Sequence, residues 1–192
     1  TSFADVEDDH NNLYRPAISP QFANLGWSRD GSAVLLQDGW DVWKVPANGV
    51  GKALNLTGDG RANKVRYQRR YSFDPNEKGI DLAKPLYFSV YGEWTKKNGI
   101  ARVDANKAGA SRIVFDDANY NFTKAKDADT FLYTRQTFVD FPNWYVASAD
   151  LKSGRRITDA NPQQKDFAWS SGTRPVNYVS AKGDSLQGAL FL

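Results

Sequence analysis

The chain has 192 residues, of which 41% are hydrophobic, 14% aromatic and 24% charged, with a formal net charge of +3. This composition is typical of one or two folded domains with a sizeable core, and the aromatic content favours β structure. Cysteine is absent, which excludes disulfides and thiolate metal sites, and no apolar run approaches the ~20 residues that span a bilayer.

Residues 1–20 are predicted to form a polar leader or linker. They contain an acidic cluster and His10, the only histidine of the chain. An oxygen-ligand metal site is one interpretation of the cluster, but the glycine-punctuated spacing of a calcium loop is missing. The sequence favours a polar terminus and no metal or other cofactor. Because the chain begins at Thr1 and contains no Met, we expect a fragment of a longer protein.

Residues 21–60 are predicted to form a first β unit. The dipeptides Asp30-Gly31, Asp38-Gly39 and Asn48-Gly49 are strong turn signals, since glycine adopts positive φ at low cost. Between them lie short apolar or alternating runs of strand length. The predicted strands of this unit are residues 33–36, 40–45 and 53–57.

The rest of the chain repeats this organisation at a period of about forty to fifty residues, which is typical of β-propellers. A second unit covers residues 61–119, with a loop insertion at 74–79, and a third covers residues 120–168. Each shows an alternating strand, a glycine-containing turn and a short strand that ends in Thr or Phe. The predicted strands are 65–73, 85–91, 99–104, 111–115, 130–136, 143–150 and 155–158. We therefore predict an all-β fold, a partial propeller of about three four-stranded antiparallel blades.

Residues 169–192 lie outside the repeat and are predicted to form an exit segment and a hairpin. Gly183-Asp184 supplies its turn, and the strand after it is strongly apolar. No part of the chain shows a convincing helical stripe; the nearest is 116–128, which is polar and interrupted.

Several of these motifs resemble the prolyl oligopeptidase family of serine peptidases. The first is Trp27-Ser28-x-Asp30-Gly31 followed by Asp41-Val42-Trp43, and the second is the run 134–138 followed by 141–146. Residues 157–163 are similar to the segment that leaves the propeller of that family. The terminal run from Gly183 to Leu190 is similar to the hairpin that opens its α/β-hydrolase domain.

The resemblance implies a seven- or eight-bladed propeller that caps a hydrolase domain carrying Ser, Asp and His. This chain holds about three blades, so the hydrolase domain is missing from it. The implied function is a non-catalytic propeller part that admits short peptide substrates to the catalytic domain. The alternative is a propeller module that binds protein or carbohydrate. The family resemblance favours a periplasmic or secreted parent protein over a cytoplasmic one.

The chain itself is predicted to contain no catalytic residue. Ser28 lies in Gly26-Trp27-Ser28-Arg29-Asp30-Gly31, where the second glycine is one residue too far for a nucleophile elbow and a strand follows instead of a helix. Ser28 is therefore interpreted as a turn residue. His10 has no context that would make it a general base. The pairs Asp116-Asp117 and Asp127 with Asp129 are interpreted as loop carboxylates rather than an acid–base pair.

Arg135 is the one substrate-channel candidate. It is a charged residue within an otherwise strand-like run, so it could point into a propeller channel and hold a peptide carboxylate or carbonyl. A structural ion pair is the alternative role of Arg135.

A run of basic residues at 61–70 raises the possibility of a polyanion site. Its charged residues alternate with Val65 and Tyr67, which favours a solvated strand face and no nucleic-acid partner. The larger aromatic side chains are interpreted as packing between blades rather than a ligand platform; these are Trp40, Trp43, Trp144, Tyr145 and Trp169. Because three blades cannot close a ring, we also expect the chain to self-associate.

Overall fold

Antiparallel sheets make up almost all of the regular structure. The computed structural model describes residues 23–192. Three sheets have four strands each and a fourth has two, and within each sheet the strands are ordered as they follow one another along the chain. The predicted all-β class with four-stranded antiparallel units is therefore confirmed.

The first sheet contains β1 (Ala23–Trp27), β2 (Ala33–Gln37), β3 (Val42–Pro46) and β4 (Leu54–Asn55). Gly31 and Gly39 have φ of 71° and 91°, as the two Asp-Gly turns require. A single helical turn, α1 (Gly60–Asn63), follows this sheet and was not predicted.

The second sheet contains β5 (Val65–Arg70), β6 (Leu86–Gly92), β7 (Asn98–Val103) and β8 (Ala110–Asp116). Its core side chains are fully buried, among them Tyr67, Phe88 and Ile100. The predicted insertion at 74–79 is a loop between β5 and β6.

The third sheet contains β9 (Asn119–Lys124), β10 (Thr130–Gln136), β11 (Asn143–Ser148) and β12 (Arg155–Arg156). A 3₁₀ turn over Pro162–Asp166 follows it, and then the predicted hairpin, β13 (Thr173–Val179) and β14 (Ser185–Phe191). The strand β9 was not predicted, because Tyr120 and Phe122 are the only apolar side chains in a polar run.

A buried cluster of hydrogen bonds, here called the threonine clasp, closes the first sheet just beyond β4. The Thr57 hydroxyl donates to Asp41 Oδ1 (2.5 Å) and accepts from the Val42 backbone N–H (3.1 Å). The Gly60 backbone N–H also donates to Asp41 Oδ1, at 3.0 Å. Asp41 and Thr57 are 6% and 2% exposed, so the clasp satisfies a carboxylate that the core would otherwise exclude.

The third sheet closes with a similar arrangement, in which the backbone N–H donor follows the threonine by two residues instead of three. The Thr158 hydroxyl donates to Asn143 Oδ1 (3.0 Å) and accepts from the Trp144 backbone N–H (2.9 Å), while the Ala160 N–H donates to Asn143 Oδ1 (3.0 Å). Two sheets about one hundred residues apart in sequence thus end in the same way. The threonine that ends the short strand of the sequence repeat is the residue they share.

The described chain divides into two compact units. One contains residues 23–91 and 100–113, and the other contains residues 92–99 and 114–192. The candidate site lies within the second unit.

Candidate functional site

Arg135 lies near the end of β10, with Tyr120 of β9 and Asn143 of β11 as its cross-strand neighbours. Its Nε donates a hydrogen bond to Tyr120 Oη at 3.2 Å. Its Nη2 lies 3.7 Å from Asp116 Oδ2 and its Nη1 lies 3.8 Å from Asp140 Oδ2. The ion pairs of the structural interpretation are therefore present, and the side chain remains 34% exposed.

The Tyr120 hydroxyl connects Arg135 to Asp116. Its oxygen lies 2.8 Å from both carboxylate oxygens of Asp116, to which it donates. Burial, together with this hydrogen bond, raises the pKa of Tyr120 to about 12. Burial opposes the charge on Arg135, but the hydrogen bond to Tyr120 and the charges of Asp116 and Asp140 outweigh it and raise the arginine pKa. Arg135 is thus a fixed cation and Tyr120 a neutral donor.

A row of stacked aromatic rings supports this end of the third sheet. Tyr120 stacks on Phe122 with ring centroids 5.3 Å apart, and Tyr133 stacks on Tyr145 at the same separation. Phe122 and Tyr133 join the two pairs at 5.6 Å. The Phe122–Tyr133 and Tyr133–Tyr145 pairs join neighbouring strands, and cross-strand aromatic pairs stabilise the sheet that carries Arg135.

Arg135 lines a cleft of about 370 Å³, here called the Arg135 cleft. The wall opposite the sheet comes from the loop after β10 and from the segment around the 3₁₀ turn. The lining residues are Arg135, Val139, Asp140, Phe141, Asn143, Tyr145, Arg156, Asp159, Asn161, Pro162, Gln164, Lys165 and Trp169.

Gln164 joins the loop after β10 to the segment around the 3₁₀ turn. Its side-chain amide donates to Val139 O (2.6 Å), and its Oε1 accepts from the Phe141 N–H (2.9 Å). Its backbone carbonyl accepts from the indole Nε1 of Trp169 (2.8 Å). The cleft is therefore built by hydrogen bonds within the protein, as a preformed binding site would be.

The basic run at 61–70 is spread over α1 and β5. Three of its cations surround the ring of Trp40, with the Arg66 guanidinium carbon 4.2 Å from the centroid. Arg70 forms a two-pronged ion pair with Glu77, at 2.7 and 3.3 Å. Arg66 and Arg69 also line a second cavity, of about 460 Å³. These partners hold much of the basic run within the protein, as expected for structural charges.

Three other residues singled out from the sequence, Ser28, Asp129 and Trp40, are buried or paired within the protein. Ser28 is 4% exposed, and its hydroxyl donates to Asp30 (2.6 Å) and accepts from the Ala33 N–H (2.9 Å), so it bonds on both sides of the Asp30-Gly31 turn. Asp129 pairs with Lys124 at 3.4 Å. Trp40 is buried, and His10 lies outside the described residues.

Among residues 23–192, no group of three or more His, Asp or Glu side chains could hold a metal ion. None of the helices in this range is long and apolar enough to cross a membrane.

The sequence singled out Arg135 as a channel candidate, whereas Tyr145 and Trp169, which also line the cleft, were interpreted only as packing aromatics. Asp140 lies in a loop and Gln164 in the 3₁₀ turn, where no periodicity marks them. The one local signal is Thr137-x-x-Asp140, in which the Thr137 hydroxyl accepts from the Asp140 backbone N–H (3.1 Å), a turn motif that orients the loop.

No family model and no curated protein matches this chain. Among solved structures, a variant of the isopeptidase AtxE2 with Astexin3-dC4 bound matches with a TM-score of 0.53 and 12% sequence identity, over 91% of this chain and 24% of that chain. The apo form of AtxE2 matches with a TM-score of 0.49 and 14% identity, over 93% of this chain and 26% of that chain. This chain thus spans about a quarter of the length of the isopeptidase chains, and the likeness concerns the fold.

Proposed function

We propose that this chain is a non-catalytic β-propeller part of a serine peptidase similar to the prolyl oligopeptidase family. In the longer protein it would control the access of short peptides to a separate hydrolase domain. The observation that carries the proposal is the succession of three four-stranded antiparallel sheets in chain order, two of which end in the same threonine clasp. Such a repeat is what propeller blades require.

The fold likeness to AtxE2 is compatible with this proposal, because the match extends over 91% of the chain and the matching protein is an isopeptidase. The hairpin of β13 and β14 adds a second argument. All seven residues of β13 are exposed, and a two-stranded hairpin alone is marginally stable in water. A further domain packed on it would supply the missing contacts.

The gene sequence beyond the codon of Leu192 provides the first test. We expect a Gly-x-Ser-x-Gly between a strand and a helix within the next ~200 residues, the size of a typical domain. The full-length protein should then hydrolyse short peptides and leave folded proteins intact. A reading frame without this motif, or equal cleavage of folded and short substrates, would refute the proposal.

A propeller module that binds carbohydrate is the second candidate. The indole of Trp169 is 51% exposed at the rim of the Arg135 cleft, beside the polar side chains of Asp159 and Asn161. Binding of neutral oligosaccharides that is lost in Trp169→Ala, with no peptidase activity in the full-length protein, would favour this candidate.

A further inference from the structure

The charge around Arg135 bears on what the Arg135 cleft can bind. Carboxylates of Asp116 and Asp140 approach the two Nη atoms of this one guanidinium, at 3.7 and 3.8 Å. Two negative charges thus flank one positive charge, and a third carboxylate brought to Arg135 would be repelled by both.

The other charges of the cleft lie on Arg156, Asp159 and Lys165. Arg156 forms a close ion pair with Asp159. The lining thus carries three cations and two carboxylates, and Asp116, which pairs with Arg135 but does not line the cleft, adds a third carboxylate. With Asp116 counted these charges sum to zero, and the negative excess lies at Arg135.

Arg135 nevertheless has hydrogen-bond donors to offer. A guanidinium carries five N–H groups, and only the one on Nε lies within hydrogen-bond distance of an acceptor among residues 23–192. The Nη atoms are 3.7 and 3.8 Å from their carboxylates, beyond the length of a hydrogen bond. These N–H groups can bind a neutral carbonyl oxygen without displacing a protein partner.

Apolar side chains stand beside these donors. Val139, Phe141 and Trp169 all line the cleft and are 48%, 45% and 51% exposed. The indole of Trp169 and the backbone of Val139 and Phe141 are fixed through Gln164. A ligand with an apolar side chain next to a carbonyl group matches this arrangement.

We infer that the Arg135 cleft binds an uncharged peptide segment, with a backbone carbonyl on the Nη groups of Arg135 and an apolar side chain against Phe141 and Trp169, and that it discriminates against carboxylates. This inference rests on the proposed role in peptide binding. It adds the class of peptide that the cleft selects and the cause of the selection, which is the pair Asp116 and Asp140.

Calorimetric titration of the 192-residue chain with two small peptides tests the inference. The probes are N-acetyl-Phe-Ala-amide and N-acetyl-Phe-Asp-amide, titrated to about 10 mM because so small a ligand is expected to bind near 1 mM. The neutral peptide should bind about tenfold more tightly. Its affinity should change little between about 50 and 500 mM NaCl, as expected for a neutral ligand.

Three variants separate charge from structure. Arg135→Gln should weaken binding of the neutral peptide about tenfold. Asp140→Asn should strengthen binding of the acidic peptide several-fold relative to the neutral one, because one repelling charge is gone. The matched control is Asp127→Asn, an exposed carboxylate outside the cleft, which should change neither affinity.

Tighter binding of the acidic peptide, no effect of Asp140→Asn, or no binding of either peptide would overturn the inference. The gain expected for Asp140→Asn is informative because a misfolded variant could not produce it. The outcome of the peptidase assay on the full-length protein does not depend on the outcome of this titration. Loss of hydrolysis there would refute the proposed function and leave the charge selectivity of the cleft standing.

Discussion

The first and third sheets close with the same threonine clasp but with different acceptors at its centre. In the first sheet the acceptor is the carboxylate of Asp41, which receives hydrogen bonds from Thr57 and Gly60. In the third sheet it is the amide of Asn143, whose Nδ2 also donates to Phe141 O at 3.1 Å. A carboxylate at position 143 would face that carbonyl oxygen, which explains why the third sheet has an amide.

The two sheets also differ in how their equivalent faces are covered. Leu35 and Val42 of the first sheet are fully buried, whereas Leu132 and Trp144, at the corresponding register, are each 37% exposed. The two sheets therefore share their strand register and the clasp, but their equivalent faces differ in solvent exposure. Four pairs of substitutions test this difference between the two sheets.

The largest effect is expected for the clasp threonines. Thr57→Val removes a donor to the buried carboxylate of Asp41 and should lower the free energy of unfolding by about 3 kcal/mol, since a buried charged group loses a hydrogen bond. Thr158→Val removes the same bond to a neutral amide and should cost about 1 kcal/mol. Urea denaturation of both variants measures their free energies of unfolding. Equal losses of stability would contradict the role assigned to the Asp41 charge.

The next effect concerns the residue that donates its N–H to the clasp. A Cβ at Gly60 would lie 2.7 Å from Trp40 O and 2.8 Å from Val65 O, so Gly60→Ala should cost about 2 kcal/mol through steric overlap. Ala160 donates the equivalent N–H to Asn143 and already carries a Cβ, and Ala160→Gly should cost at most about 1 kcal/mol. Thermal unfolding of the two variants provides the check. A Gly60→Ala variant that unfolds at the same temperature as the wild type would contradict the close approach of Trp40 O and Val65 O to this position.

A third test uses the exposed face of the third sheet. We propose that the apolar side chains there, Leu132, Trp144 and Val146, pair two copies of the isolated chain at high concentration. Leu132→Lys should weaken this association at least about tenfold, since a charge would be buried in the contact, while the turn variant Ser153→Lys should not. Light scattering across a concentration series measures the association of the wild type and of both variants. A strictly monomeric wild-type chain would contradict self-association.

The smallest effect is expected from the turn carboxylates Asp30 and Asp150. Hydrogen bonds from Ser28 and Ser32 lower the pKa of Asp30 to about 2, from 3.8, and a bond from Ser148 lowers that of Asp150. Because the folded pKa is depressed, the stabilisation is complete above about pH 5 and declines as the pH falls through the unfolded value towards the folded one.

Asp30→Asn should therefore destabilise the chain at about pH 6, and its difference from the wild type should shrink by about pH 2.5. Asp150→Asn should behave in the same direction with a smaller amplitude, because fewer hydroxyl groups contact Asp150. The measurement is the urea midpoint at several pH values. A difference from the wild type that grows on acidification would contradict the lowered pKa.

Alternation and turn dipeptides predicted most of the strands in advance. The exceptions have physical causes. The short strands β4 and β12 pair over two residues each, fewer than predicted, because the hydroxyls of Thr57 and Thr158 replace the next hydrogen bonds of the ladder.

The candidate site was only partly predictable. Arg135 stood out because a charge is unusual in a strand-like run, but its partners Asp116 and Asp140 lie in other elements and are reached only through the fold. The same holds for Gln164, whose partners Val139 and Phe141 are 25 and 23 residues away along the chain. Local sequence patterns carry no information on such contacts.

Labelling of the full-length protein with a fluorophosphonate, followed by peptide mapping, is the most direct test that this chain is the non-catalytic part of a serine peptidase. We predict a single labelled serine outside residues 1–192 and none within them. Label on any serine of this chain, or no labelled serine in the full-length protein, would contradict the proposed function.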